Sequence, residues 1–423
     1  MKTRRASNLA LWLSVFSGMA AAFAAEPSAE EFQQNWPRFR GPGGGGVARQ
    51  GEHMPLTCDV KTGENIAWTA EVPSAGFSSP VVWGHRVFLS GGDESHCEVM
   101  CFNTETGGLL WQKAVPKTAG DAGEKAEVPD QCGMAAATVA TDGQRVFAMF
   151  ANGDLAAFSF EGDVVWAKRL AVPKNPYGHA TSLLTWQDRV IVQFDQGTAE
   201  DELSKLYAFD GATGKVVWEQ PRPTGASWAT PISFDAAGQS QIITLAVPWV
   251  ISYAATDGKE LWRAEVLDGE VTPSPIFASG TLFVPSPSVK LQTIRPDGRG
   301  DVTKTHLGWV AEDGIPDVTS PVSNGELVFV IDTGGMLTCY DARTGKKQWQ
   351  QDMEEECKAS PSIADNRLYL FTSKGLMIEV AVARQFKELA RSPLGEPVFA
   401  SPAFAQNKIF VRGMKHLICI GVK

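Results

Sequence analysis

Apolar and polar residues alternate in short runs along most of the chain, each run closed by Gly, Pro, Asn or Asp. This pattern predicts many short, half-buried strands joined by tight turns. Pro80-Val-Val-Trp83, Arg86-Val-Phe-Leu-Ser90, Val99-Met-Cys-Phe102 and Leu109-Leu-Trp-Gln112 make one set of four such strands, and the set recurs. Each copy opens on a short strand headed by Ser-Pro or Thr-Pro, at Ser79-Pro80, Thr230-Pro231, Ser274-Pro275, Ser320-Pro321, Ser360-Pro361 and Ser401-Pro402. Ala137-Thr138 and Ser182-Leu183 hold the same place in two further copies. Proline suits the first residue of a strand, where its missing N–H breaks no interior ladder.

A second signature falls late in each copy. Asp210-Gly-Ala-Thr-Gly-Lys-Val-Val-Trp218 recurs as Asn103-Thr-Glu-Thr-Gly-Gly-Leu-Leu-Trp111, Ser159-Phe-Glu-Gly-Asp-Val-Val-Trp166, Ala254-Ala-Thr-Asp-Gly-Lys-Glu-Leu-Trp262 and Asp341-Ala-Arg-Thr-Gly-Lys-Lys-Gln-Trp349. The Asp or Asn bonds its own backbone two residues on, the Thr-Gly or Asp-Gly pair supplies the left-handed corner, and a strand ending in Trp follows. Four-stranded units repeated at such spacing predict an all-β, eight-bladed β-propeller of antiparallel blades. The last unit ends one strand short, after Lys408-Ile-Phe-Val-Arg412 and His416-Leu-Ile-Cys-Ile420. Ile66-Ala-Trp-Thr-Ala-Glu-Val72 has the look of the missing fourth strand, Trp68 included, and closing the ring with it removes an exposed edge. Two blades break the pattern: the fifth runs through Ile294-Arg-Pro-Asp-Gly-Arg-Gly-Asp301 and reaches a Trp only at 309, and the seventh has none where Phe386 or Leu389 should be.

Three segments are expected: a signal peptide over 1–24, an irregular arm over 25–64 and the propeller over 65–423. Residues 1–24 combine a basic start, an apolar run from Leu9 to Ala22 and Ala22-Phe23-Ala24 before a cleavage point, with no Cys nearby to take a lipid. Export to the periplasm or beyond follows, with no transmembrane segment in the mature chain. Formal charge is −10, and about −13 once the basic start is removed, which argues against nucleic acid as a partner. The arm carries Asn35-Trp-Pro-Arg-Phe-Arg-Gly-Pro-Gly-Gly-Gly-Gly-Val47; its Gly run reads as flexible, and its Trp, Phe and two Arg as packing on the propeller. The chain is expected to act as a monomer.

Seven Cys in an exported chain permit disulfides. Cys97 and Cys101 on one extended strand lie about 13 Å apart, too far to bridge, so a pairing of either with Cys132 is the expected possibility.

The Asp-x-x-Thr-Gly-Lys-x-x-Trp turns and Ser-Pro openings resemble the pyrroloquinoline-quinone-like (PQQ-like) repeat, over about residues 66 to 423. The Trp-Pro-Arg-Phe-Arg-Gly-Pro arm, Tyr177-Gly-His179, Ser227-Trp-Ala-Thr-Pro231 and Arg412-Gly-Met-Lys-His-Leu417 are similar to exported PQQ-like propellers of planctomycete-type bacteria. The resemblance implies either a quinoprotein dehydrogenase or a non-catalytic scaffold such as the BamB type in outer-membrane protein assembly; a propeller hosts both. For the dehydrogenases it implies bound PQQ, a calcium site and, in alcohol-oxidising members, a disulfide between adjacent cysteines. This chain has no adjacent Cys pair, and none of its residues matches the catalytic Asp or the calcium ligands. No cofactor is therefore expected, PQQ with calcium standing as the alternative.

The remaining chemistry reduces to structure. Trp68, Trp111, Trp166, Trp218, Trp262 and Trp349 recur at one place per blade, which marks packing anchors better than a stacking platform. Gly41-Pro-Gly-Gly-Gly-Gly46 has the letters of a dinucleotide fingerprint but no strand before it or helix after it. The six histidines show no metal spacing, His96-Cys97 with Cys101 falls short of four ligands, and neither a Gly-x-Ser-x-Gly elbow nor a His-Glu-x-x-His pair occurs. Arg299-Gly-Asp301 reads as a solvated loop. One set of positions remains: residues just before the strand openings should rim one mouth of the central channel, namely Phe77, His179, Trp228, Asp317, Lys358 and Phe399. An aromatic rim with a few polar groups can hold a small ligand or an extended peptide. The expectation is an exported, non-catalytic propeller that binds a protein or small ligand at this mouth; the alternatives are a PQQ-dependent oxidoreductase and an outer-membrane protein assembly factor of the BamB type.

Overall fold

The computed structural model describes residues 27–118, 126, 128–130 and 132–422. The expected signal segment lies outside them. Eight sheets form among the described residues, each with an antiparallel core of four strands, and one of them joins the two ends of the described chain. That sheet holds Ala403–Ala405, Lys408–Arg412 and His416–Ile420 and takes Ile66–Glu71 as its outer strand, with Thr69 opposite Ile418 and Glu71 opposite His416. The chain's two ends thus close an eight-bladed propeller.

Within a blade the innermost strand runs away from the Ser/Thr opening, so all openings lie on one face and all Asp-x-x-Thr-Gly-Lys turns on the other. We call these the opening face and the turn face. Hydroxyl groups join the blades on the opening face. The backbone N–H of each opening residue from Ser79 to Ser360 donates to the hydroxyl of the next: Ser79 to Thr138 (2.9 Å), Thr138 to Ser182 (3.0 Å), Ser182 to Thr230 (3.1 Å) and Thr230 to Ser274 (2.9 Å). The chain continues from Ser274 to Ser320 (2.9 Å), Ser320 to Ser360 (3.0 Å) and Ser360 to Ser401 (3.0 Å). A Ser or Thr is needed there because a strand's first N–H has no partner within its own sheet.

On the outer side the turn-and-Trp unit ties most blades to a neighbour. The indole N–H of Trp111 donates to Phe160 O (2.8 Å), that of Trp166 to Gly211 O (2.8 Å), that of Trp68 to Thr104 O (2.9 Å) and that of Trp349 to Ala383 O (2.9 Å). The turn glycine of the accepting blade makes room for the ring. A Cβ on Gly214, at φ +67°, would lie 2.6 Å from Trp166, and one on Gly107, at φ +71°, 2.5 Å from Trp68. Opposite each indole on the third strand stands a small residue beside a bulge: Cys101 for Trp111, Ala157 for Trp166, Ala208 for Trp218, Ser252 for Trp262, Cys339 for Trp349 and Cys419 for Trp68.

The irregular fifth blade departs from expectation in a specific way. Gly300–Asp301, expected in a solvated loop, leaves its own blade and pairs in parallel with the outer strand of the fourth, Gly300 opposite Trp262 and Asp301 opposite Arg263. The Trp262 indole then reaches the fifth blade through a relay: it donates to Gln241 Oε1 (3.0 Å), whose Nε2 donates to Pro296 O (2.9 Å). Trp309 takes the anchor role in the fifth blade, donating to Ala342 O at 3.0 Å. In the seventh blade Phe386 packs edge-on against Trp349, ring centroids 5.3 Å apart.

All seven cysteines are free, so the expected bridge from Cys97 or Cys101 to Cys132 is not formed. Cys97 and Cys101 instead point into the core between the first two blades. Burial pushes the thiols of Cys58, Cys97, Cys101, Cys339, Cys357 and Cys419 up to about 12, while Cys132 is only partly covered. Since the thiolate is the reactive form, a thiol reagent such as DTNB should modify one Cys promptly in the native protein, and seven after denaturation. Alkylation followed by peptide mapping should place the fast site at Cys132.

Candidate functional site

The arm forms the floor of the site. It does not lie over the propeller's outer surface but enters its channel, pairing with the innermost strands of the first, second and seventh blades. Trp36 exchanges backbone bonds with Val82 in the first blade (3.0 and 2.9 Å), and Pro37 O accepts from Thr141 N in the second (2.9 Å). Trp36 also packs on Phe404 in the eighth blade, and Val47 bridges Ile363 in the seventh. Between them the chain turns at Arg40 and Gly41, both at positive φ. The glycines serve close approach here rather than flexibility: a Cβ on Gly41 would sit 2.9 Å from the Trp36 ring, and one on Gly46 2.6 Å from Arg40 Nη2.

Arg38 and Arg40 point to opposite sides of the channel wall. Arg38 Nη1 donates to Pro231 O (3.3 Å) in the fourth blade, with Nε and Nη2 on Pro42 O. Arg40 Nη2 donates to Pro321 O (2.7 Å) and Pro361 O (3.1 Å) in the sixth and seventh. Both side chains are 1 % exposed and form no ion pair among the described residues, and burial lowers their pKa values to about 10 and about 9. Arg40 Nε and Nη1 have no hydrogen-bond partner among the described residues. A third buried guanidinium, Arg412, lies against the opening of the first blade, bonded to Ser78 Oγ at 2.6 Å.

Above this plug the channel mouth is a blind cup of about 140 Å³ on the opening face. Phe39 forms its floor, the opening hydroxyls its wall, and Phe77, Trp228, Val318, Lys358 and Phe399 its rim. Phe77 and Phe399 meet edge-on at 6.0 Å, and Lys358 Nζ lies 5.4 Å from the Phe399 ring centre. Trp228 is held upright by Asn175 Oδ1, 2.9 Å from its indole N–H, and by Tyr177, whose ring centre is 5.0 Å away.

Four of the six positions read from the sequence therefore converge. The other two do not line the cup. His179 is 3 % exposed and stacks on Phe194 at 5.6 Å; burial pushes its imidazole down to about 4, so it is neutral at physiological pH. Asp317 turns away to accept from the N–H (3.0 Å) and hydroxyl (2.7 Å) of Thr333, leaving Val318 at the rim. Phe39, the hydroxyl ring and the arginines beneath it were missed. Their signal was present in the Trp-Pro-Arg-Phe-Arg run and in the repeated Ser or Thr of each opening, which strand logic alone accounted for.

A larger hollow of about 730 Å³ lies on the turn face, between the Ala29–Gln34 helix and the turns of the second to fourth blades. Three of its four carboxylates are engaged at hydrogen-bond distance, Asp142 with Arg145 (2.7 Å), Asp210 with the Thr213 N–H (2.7 Å) and Asp235 with Ser240 (2.5 Å), and the fourth, Asp188, lies 3.7 Å from Arg189. It offers turn structure rather than converging free groups.

The cup does not fit a quinone with calcium. A tricyclic cofactor needs a pocket of about 300 Å³ or more, and Ca²⁺ takes six to eight oxygens with carboxylates among them. The lining holds no carboxylate. Among the described residues no helix is long and apolar enough to cross a membrane.

The family model described as outer membrane protein assembly factor BamB matches residues 44–184, 202–314 and 249–420. Comparison with curated proteins finds no match. Among solved structures, BamB from Moraxella catarrhalis superposes with a TM-score of 0.62 at 14% identity, over 84% of this chain and 96% of its own. Quinohemoprotein alcohol dehydrogenase from Comamonas testosteroni gives 0.67 at 15%, over 92% and 81%. The computationally designed Ika8 protein gives 0.57 at 11%, over 82% and 98%. At these identities the structural likenesses speak for fold alone. The family match spans most of a ring built on one repeated turn-and-indole unit, and the chain belongs to the PQQ-like repeat family whose model is described as outer membrane protein assembly factor BamB.

Proposed function

We propose that this protein is an exported, non-catalytic scaffold that holds a partner protein or a small ligand at the mouth on its opening face. The observation that carries the reading is the convergence of Phe77, Trp228, Phe399 and Lys358 around a cup whose channel is stoppered from below by the protein's own arm. Aromatic anchors around a small desolvated recess are what a binding hot spot requires. The lining offers no carboxylate to ligate a calcium ion, which supports the binding reading over a quinone-dependent oxidation. The description carried by the family model suggests where a partner would be sought, in outer-membrane protein assembly.

Purified protein titrated with PQQ and Ca²⁺ should show no quenching of Trp fluorescence and reduce no dye with an alcohol or sugar. Replacing Phe77, Trp228 and Phe399 together by Ala should leave the thermal midpoint within a few degrees. The same change should weaken retention of the wild-type partner on copurification at least tenfold, the loss of about 1.4 kcal/mol or more that anchor truncation brings. Dye reduction that depends on the quinone would replace this reading with the oxidoreductase.

A further inference from the structure

The opening hydroxyls have an unused half. Each one from Thr138 round to Ser401 accepts a backbone N–H from its neighbour, and an accepting hydroxyl still carries its own proton. Among the described residues none of these protons finds a protein acceptor, although all the hydroxyls line the cup. A ring of hydroxyls therefore lines the cup around the propeller axis, each able to donate to a ligand placed there.

Directly beneath the ring lies positive charge. The carbonyls that Arg38 and Arg40 grip belong to Pro231, Pro321 and Pro361, each the residue following a ring hydroxyl, so the two guanidiniums are held at the level of the strand residue just below the ring. Neither has a carboxylate partner, and Arg40 leaves Nε and Nη1 without any. Buried cations held only by carbonyl dipoles are costly, and an anion above them offsets that cost. On the rim, Lys358 shares its charge with Glu356 at 3.3 Å, so the buried arginines provide most of the field. In a chain of net charge −10, this axial pole has the opposite sign to the rest of the molecule.

We propose that the cup binds the C-terminal carboxylate of an extended peptide, end-on along the propeller axis. This rests on the reading of the mouth as a binding site and names what the mouth selects. About 140 Å³ admits a terminal group and no more, so the rest of the ligand lies across the apolar rim. Phe39 screens the guanidiniums from direct contact, so an anion receives hydroxyl donors and a through-space field but no bidentate fork. That suits a monoanionic carboxylate and leaves a phosphate dianion short of partners.

The test is calorimetric titration of the purified protein with an N-acetylated tetrapeptide, two leucines followed by two alanines, as the free acid and as the C-terminal amide. Acetate and inorganic phosphate serve as competitors. The acid should bind at least tenfold more tightly than the amide, and acetate should compete better than phosphate. The Arg40→Met variant should keep its thermal midpoint and lose the acid-over-amide preference; if that variant fails to fold, the comparison on the unmutated protein decides alone. Equal binding of acid and amide overturns the carboxylate assignment while leaving the mouth as a site, provided Trp228→Ala abolishes both. Stronger competition by phosphate, or no binding of either peptide, overturns it as well. The partner-retention experiment on the Phe77, Trp228 and Phe399 variant judges the mouth itself independently of these outcomes.

Discussion

A chain that begins at residue 72, without arm and closing strand, should fail to form a cooperative folded ring. Three things leave with those residues. The eighth blade loses its outer strand and with it the pairing of Thr69 with Ile418; the junction to the first blade loses Trp68 from its seat on Gly107; and the innermost strands lose the backbone partners that Trp36, Pro37 and Ala48 supply inside the channel. Trp36, Met54, Cys58, Ile66 and Trp68 belong to one apolar cluster with the seventh, eighth and first blades. At about 2 kcal/mol for each large buried side chain, their loss is on the order of 10 kcal/mol, as large as the whole stability of a typical domain. Circular dichroism during heating, with size-exclusion chromatography, should show a broad transition and an expanded species. A sharp transition within a few degrees of the intact protein would mean that the ring closes without its N-terminal strand.

Replacing Arg222 by Ala should be the most damaging single substitution away from the arm, at about 3–5 kcal/mol. Arg222 and Asp195 are wholly buried between the third and fourth blades, Nε on Oδ1 at 2.6 Å and Nη2 on Oδ2 at 3.1 Å. Gln193 donates to the same carboxylate (2.7 Å) and to Leu245 O in the next blade (3.1 Å), and Arg222 also reaches Thr244 and Tyr253. Removing one charge strands the other in a low-dielectric core. Removing both, as Arg222→Met with Asp195→Leu, should return most of the loss, because the cost lies in the unpaired survivor rather than in a missing attraction. Denaturation midpoints of the two singles and the double check this; a double variant as unstable as the sum of the singles would contradict it.

The fold was legible because its signals are local and repeated. Alternation, the Asp-x-x-Thr-Gly turn and the Ser-Pro opening each specify short-range geometry, and eight copies reinforce one another. Even the ring closure could be read, since Ile66–Glu71 carries a strand pattern and an anchor Trp with no blade of its own. The fifth blade was harder. There Gly300–Asp301 obeys a neighbour's edge rather than its own turn, and an interaction across blades leaves no local mark.

The site was only partly legible for the same reason. Phe77, Trp228, Lys358 and Phe399 follow from counting back along each repeat, because blade geometry places that position at the mouth. The count fails for His179 and Asp317, whose loops turn the side chain inward to a Phe or across to a Thr. The arm was least legible. Four glycines in a row read as slack chain, whereas two of them are pressed against Arg38 and Arg40 in a channel that only the assembled ring creates. The cysteines show the converse: Cys101, expected as one half of a bridge to Cys132, is a small residue standing opposite the Trp111 indole, as Cys339 and Cys419 stand opposite Trp349 and Trp68.

The central claim, that the mouth above the plugged channel is the working surface, is tested most directly by site-specific photo-crosslinking from the two faces. A photoreactive phenylalanine is placed at Phe399 on the opening face or at Trp186 on the turn face, in cells of the native host. A discrete partner adduct from position 399 and none from 186 is the predicted result. An adduct from 186 with none from 399 would contradict the account.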